Sequence, residues 1–378
     1  MTRSRVVPDP IARQPWRVIA LVVAIGAFGQ VVLYSAAGGS LQPWALSQGI
    51  RFFVLLAAAI AVSYVPERVW KASALPAYVV IVIALVLVEL VGAVRGGSQR
   101  WLDVGIKLQP SEFMKPAIVL ACARFYDMLP PNETRRFGAI WPAALLIGIP
   151  AALIAKQPDL GTALMVCGGG VVVMFLAGVP MRLFIGGALA LSVAAPIAFN
   201  YVLHDYQRNR VLIFLDPESD PLGTGYHLSQ SKIAIGSAGV GGKGYLRGSQ
   251  NHLDYLPEKQ TDFIFATMME EWGLVGGVVI LLAYAWIIRW ASGVAMRSTD
   301  RFVELAAIGL CFTISLYVGI NMAMVLGLAP VVGIPLPLLS YGGSAMMTVL
   351  ILLGILMSFD RAERKSGGSL NFNLSLPR

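Results

Sequence analysis

Apolar runs of about 18 to 25 residues recur along the whole chain, each long enough to cross a hydrocarbon core as helix, and no other feature constrains the fold as strongly. In lipid, only helices and closed barrels satisfy every backbone polar group. Ten spans are predicted, near residues 17–35, 46–65, 74–94, 112–129, 138–156, 160–179, 182–204, 263–290, 303–327 and 336–358. The expected fold class is all-α: a polytopic integral membrane protein with residues 1–378 forming one transmembrane domain. Composition agrees, with 57% hydrophobic and only 13% charged residues. A soluble domain carries about 25% charged residues. The fourth span is the weakest, because Lys115, Arg124 and Asp127 interrupt it. Arg13 and Arg17 before the first run, and Ser35-Ala36-Ala37 after it, resemble a signal peptide. Nine further spans favour an uncleaved anchor instead.

Basic residues set the orientation. With the N-terminus inside, 17 of the 29 Lys and Arg residues fall on cytoplasmic segments, among them Arg17, Arg68, Lys71, Arg289, Arg297 and Arg364. Trp16, Trp70, Trp141 and Trp290 stand near span ends, as interfacial aromatics do. Residues 1–16 and 360–378 are read as cytoplasmic tails, and 205–262 as a long periplasmic loop between spans seven and eight. The other 12 basic residues lie outside or near that face. Arg95, Arg100 and Lys107 share one short loop and Lys156 lies in another, while Arg208, Arg210, Lys232, Lys243, Arg247 and Lys259 lie in the long loop. Long translocated loops tolerate charge. For the short loop, an anionic partner at the outer membrane face is the better explanation.

Several patterns carry no chemistry. Cys122, Cys167 and Cys311 fall singly within apolar spans, without disulfide spacing. His204, His227 and His252 are too far apart in sequence to suggest a metal cage. Within the long loop, HLSQSKIAIGSAG reads as a short amphipathic helix on or dipping into the membrane. Its glycine-rich tail fails as a phosphate loop, since Ser237 stands where the first Gly is needed and Gly244 follows Lys243.

Four stretches could carry chemistry. In GGSQRWLDVGIKLQPSEFMKP, residues 96–116, Pro110 and Ser111 open a helix and Glu112 sits in its first turn, where the macrodipole favours a carboxylate. Lys115 is three residues on, so the two form either a structural ion pair or the wall of a polar cavity. In AKQPDLGTALM, residues 155–165, Asp159 can cap the sixth span, or join Lys156 beside the same cavity. GLAPVVGIPLPLLSYGGSAMM, residues 327–347, has three prolines and several glycines. It implies broken backbone at membrane depth, tolerated only against protein or a water-filled space. It brings Ser340, Tyr341 and Ser344 near the outer face, unless it is simply a packing turn. In LPEKQTDFIFATMMEEWG, residues 256–273, Asp262 stands where the eighth span begins, beside the basic loop. It is a plain cap or a reactive acid. Glu270 and Glu271, about two turns deeper, are expected to pair with basic or polar groups between helices.

Taken together, GGSQRWLDVGIKLQPSEFMKP, KQPDLGT, the long loop through GSQNHLDYLPEKQTDFIFA, and PLPLLSYGGSAMM resemble the SEDS family (shape, elongation, division and sporulation). These are polytopic peptidoglycan glycosyltransferases, and GSQNHLDYLPE is closer to the elongation branch than to the division branch. The resemblance runs from the first span to the last. One departure is Gln260, where the family usually has His before Thr-Asp-Phe. The resemblance implies lipid II as substrate and Asp262 as the residue required for polymerisation. It also implies a separate class B penicillin-binding protein as transpeptidase within the elongation complex, docking on spans eight and nine. Nucleic acid is not an expected partner. A carboxylate can take the proton of an attacking sugar hydroxyl, and a departing diphosphate needs cations in place. Arg95, Arg100, Lys107, Arg208, Arg210, Lys243 and Lys259 are the candidates, Arg100 and Arg210 foremost. No cofactor is certain. A divalent cation, Mg or Mn, could share that task, with Asp262 then a ligand instead of a base. Ser111 and Lys115 are one residue too far apart for the Ser-x-x-Lys acyl-transfer signature. A flippase for the same precursor, and a noncatalytic scaffold of the elongation machinery, are the competing readings.

Overall fold

Ten of the apolar runs fold as helices, and the most polar of them takes the centre. The computed structural model describes residues 14–95, 98–103, 107–130, 132–201, 205–216, 220, 223–252, 255–256 and 258–373. In chain order the long helices are α1 (Trp16–Ala36), α2 (Ala45–Val62), α3 (Glu67–Val91), α4 (Pro110–Asp127), α5 (Phe137–Lys156), α6 (Leu160–Leu176) and α7 (Met181–Tyr201). After three shorter helices, α8 (Asp205–Leu215), α9 (Thr224–Ala238) and α10 (Ser249–His252), come α11 (Ile264–Arg297), α12 (Arg301–Val325) and α13 (Gly343–Asn373). Among the described residues, eight helices are long and apolar enough to cross a membrane; α4 and the 17-residue α6 fall short of that measure.

Helix α4 explains its own weak hydropathy. Nearly all its side chains are buried, Lys115 among them, because it packs between α3, α6 and α12 and touches little lipid. A central helix needs internal partners more than it needs apolar residues. At its inner end, Asp127 accepts from Arg124 at 2.7 Å and Lys71 at 3.0 Å, and Lys71 reaches Asp300 at 3.1 Å. Helix α7 contrasts with it, its described side chains being nearly all exposed.

Two predicted loops are ordered elements. The short loop after α3 is a three-stranded antiparallel sheet, β1 (Ala93–Arg95), β2 (Ser98–Asp103) and β3 (Lys107–Leu108). The amphipathic stretch of the long loop is α9, docked on α11 and α12, where Ser231 donates to the Val325 carbonyl at 2.9 Å. The tenth predicted span begins late: residues 331–336 form no regular element, 337–339 make a turn with Leu338 at φ 66°, and helix α13 starts only at Gly343.

Helix α11 is interrupted at Gly273, whose φ of 63° is open to glycine. An unbroken helix would bond Leu274 to Glu270 and Val275 to Glu271. The 239–244 turn supplies all four partners instead. Lys243 and Gly244 donate N–H to the Glu270 and Glu271 carbonyls at 2.9 and 3.1 Å, and Leu274 and Val275 donate to Gly239 and Val240 at 3.1 Å. A Cβ on Gly273 would lie 2.3 Å from the Gly242 nitrogen. Gly273→Ala is therefore expected to cost more than about 4 kcal/mol. The check is the loss of a monodisperse, cooperatively melting species in detergent.

Candidate functional site

The site is built where α12 meets the starts of α4, α6 and α11. Asp262 lies half-buried just before α11 and is not sealed into packing. Asn321 of α12 donates one amide to the Asp262 carbonyl at 2.9 Å and to the Ile334 carbonyl at 2.7 Å, fixing both segments together. Gly333, at φ 75°, leaves space before the carboxylate, since a Cβ there would sit 3.5 Å from Oδ2. Burial, with Glu258 close by, raises the Asp262 carboxyl to about 6, while Arg210 of α8 pulls it down. Arg210 also lines a small cleft with Leu228 and Val331. Glu258 accepts from Thr261 Oγ1 at 2.8 Å. His227 of α9 faces the Phe263 ring with centroids 6.1 Å apart, and burial lowers its imidazole.

One turn back along α12 from Asn321, Tyr317 closes a buried triad. Lys115 Nζ donates to Glu112 Oε1 at 2.5 Å and to Tyr317 OH at 2.8 Å, and Tyr317 donates to Glu112 Oε2 at 2.6 Å. The expected Glu112–Lys115 pair is thus present, but with a phenol as third member. Beside it, Asp159 does cap α6, accepting from the Thr162 N–H at 3.2 Å, and also accepts from Gln109 Nε2 at 3.1 Å. Arg100 donates to the carbonyls of Gln157, at 2.9 Å, and Pro158. Its guanidinium lies 3.9 Å from Asp159. A Cβ on Gly161 would meet the Val332 carbonyl at 2.9 Å, so the start of α6 packs directly on the segment that faces Asp262.

Other predicted residues stand apart. Lys156 pairs with Glu89 on an exposed flank. Lys243 is held by Glu270 at 2.7 Å and donates to Ser249 at 2.8 Å. Glu270 and Glu271 play the expected pairing role, Glu271 accepting from Ser35. Lys259 contributes its carbonyl to Thr267 at 3.3 Å. The Lys107 side chain, the Arg95 side chain and His204 lie outside what is described, though the Lys107 backbone pairs with Asp103. Ser340 accepts from the Leu336 N–H at 2.8 Å, a turn-forming role, and Ser344 is buried in the first turn of α13. Tyr341 is tied through its N–H to the Gln260 carbonyl at 2.7 Å, two residues from Asp262.

Tyr341 leads to a residue the sequence reading passed over. Arg51 of α2 lies over its ring at 5.4 Å and donates to its hydroxyl at 3.3 Å. The hydrogen bond with Ser47, and then Arg51, lower the phenol. Arg51 stands inside an apolar run, and a charge there is a signal in itself. Tyr317 and Asn321, polar and four residues apart on α12, carry the same kind of signal. Among the described residues no group of three or more His, Cys, Asp or Glu converges. Asp262 with Glu258 matches the one or two carboxylates by which Mg²⁺ is held alongside substrate phosphates.

Residues 15–365 match the family model of cell cycle proteins that covers FtsW, RodA and SpoVE. The chain is similar to the peptidoglycan glycosyltransferase MrdB of Escherichia coli K12, with 44% identity over 344 residues, 90% of this chain and 91% of that one. Among solved structures, it superposes with a TM-score of 0.81 and 32% identity on a chain from a study of polymerization and crosslinking by a peptidoglycan synthase complex, covering 93% of this chain and 98% of that one. Against the rod shape determining protein RodA of Thermus thermophilus the TM-score is 0.70 at 28% identity, covering 93% and 97%.

Proposed function

The chain belongs to the FtsW, RodA and SpoVE family of cell cycle proteins, and from that membership we propose how its site performs glycosyl transfer. It is a multi-pass membrane protein and a peptidoglycan glycosyltransferase of the rod-shape branch. The substrate is lipid II, taken from the outer leaflet of the cytoplasmic membrane, with the site on the periplasmic side. Asp262 accepts the proton of the acceptor sugar's C4 hydroxyl as that oxygen attacks the donor's anomeric carbon. The bond from that carbon to the diphosphate oxygen breaks, and lipid diphosphate leaves with the electron pair. Arg210, whose charge acts on the base, is one cation for the diphosphate, and Arg51, backed by Tyr341, is a second. The buried Glu112–Lys115–Tyr317 triad positions α12, and through Asn321 it fixes the backbone of the base.

The observation that carries this reading is Asp262 itself: half-buried, beside Gly333, with Arg210 near enough to act on its titration. A divalent cation, when bound, would be held by Asp262 and Glu258 and would neutralise diphosphate charge. The transpeptidase is a separate class B penicillin-binding protein, a reading supported by the likeness to a chain from a peptidoglycan synthase complex.

The test is polymerisation of fluorescent lipid II by the purified chain with its transpeptidase. Long glycan is expected, and translocation in vesicles with no polymer would overturn the reading. In the same assay Arg51→Gln is expected to lower kcat/KM at least about tenfold, with the melting temperature unchanged, because a charged donor is lost from an exposed position.

A further inference from the structure

At the other end of α11, on the order of 50 Å along the helix from Asp262, a cavity of about 780 Å³ opens between the start of α1, the last turns of α11 and the tail of α13. Arg17, Arg289, Arg297 and Arg364 line it, with Trp286 and Trp290 on one flank and no acidic side chain among the described residues of its wall. Behind that wall, wholly buried Asp360 accepts from Arg297 at 2.9 Å and from Arg364 Nε at 2.9 Å, with the Trp290 indole at 3.5 Å. One buried carboxylate thus fixes two arginines in place. Arg17 and Arg289 have no ion-pair partner among the described residues.

The excess of basic residues on inner loops accounts for arginines at this end, each separately solvated. It does not account for four converging on one cavity, with a buried counter-charge and indoles beside them. We propose that this cavity binds the headgroup of an anionic phospholipid from the adjoining leaflet. The phosphodiester would lie among the guanidinium groups, which meet phosphate oxygens two at a time. The indoles sit at headgroup depth, and the acyl chains continue past Val18 and Met296. The seat is remote from the sugar chemistry and stands independently of the role given to Asp262.

The experiment is native mass spectrometry of the full chain, titrated with phosphatidylglycerol or phosphatidylcholine. Wild type is expected to retain one phosphatidylglycerol in preference to phosphatidylcholine. Arg17→Gln with Arg289→Gln is expected to weaken that binding about tenfold. Arg135→Gln with Arg182→Gln removes the same charge from elsewhere on the predicted inner face and is expected to leave it unchanged. Equal weakening by both pairs, or equal retention of the two lipids, overturns the proposal. Full displacement by millimolar inorganic phosphate would overturn it too, leaving a site for the free anion. Both pairs replace exposed side chains, and an unchanged melting temperature without added lipid verifies the fold.

Discussion

Asp262→Asn is expected to lower lipid II polymerisation by about 10²- to 10⁴-fold, the contribution of a positioned general base, with little change in melting temperature. The pH profile carries the stronger information. A base works as the carboxylate, and this carboxyl titrates at about 6. The kcat/KM should therefore rise about tenfold per unit from acid pH and level off above about 6. A general acid would give the mirror image. Glu258 raises the group and Arg210 lowers it. Glu258→Gln should accordingly move the inflection to lower pH, and Arg210→Gln should move it up. An asparagine variant that still makes full-length glycan would remove the acid from the chemistry. A profile whose inflection ignores both neighbours would assign it to another group.

Lys115→Met is expected to destabilise the protein by about 3–5 kcal/mol, because it strands the buried Glu112 carboxylate without its cation. Glu112→Gln combined with Lys115→Met should recover much of that loss, since both charges then leave together. Thermal unfolding in detergent reads the difference. Tyr317→Phe removes one hydrogen bond to Glu112 Oε2 and should cost less, about 1–3 kcal/mol. If the double variant regains stability but not activity, the pair acts on the reaction as well as on the packing. If the single variant melts like wild type, the triad holds nothing together.

The helical fold of the apolar runs, the Asp159 cap, the Pro110 helix start and a break within 327–347 were all readable, because each depends on local pattern or on hydropathy over one run. What was not readable depends on neighbours distant in sequence. Helix α4 looked marginal because hydropathy reports exposure to lipid, and α4 has little. Lys243 looked like a phosphate ligand, yet Glu270 lies 2.7 Å from it, a pairing made only when the 239–244 turn meets α11. Arg100 ranked among the foremost diphosphate ligands, yet it is engaged with two backbone carbonyls of the α5–α6 corner. Arg51, Tyr317 and Asn321 were legible as polar groups inside apolar runs, but nothing local told which helix they would face.

The interruption of α11 bears on how substrate reaches the site. Pulling the 239–244 turn away would bare two amide and two carbonyl groups of α11 together, and as many on the turn, each costing several kcal/mol in hydrocarbon. That stretch is consequently spliced into the scaffold and cannot serve as a door. Traffic of a long-tailed sugar carrier must use a different rim of the bundle, and a cross-link between residue 242 and the α11 break should leave turnover untouched.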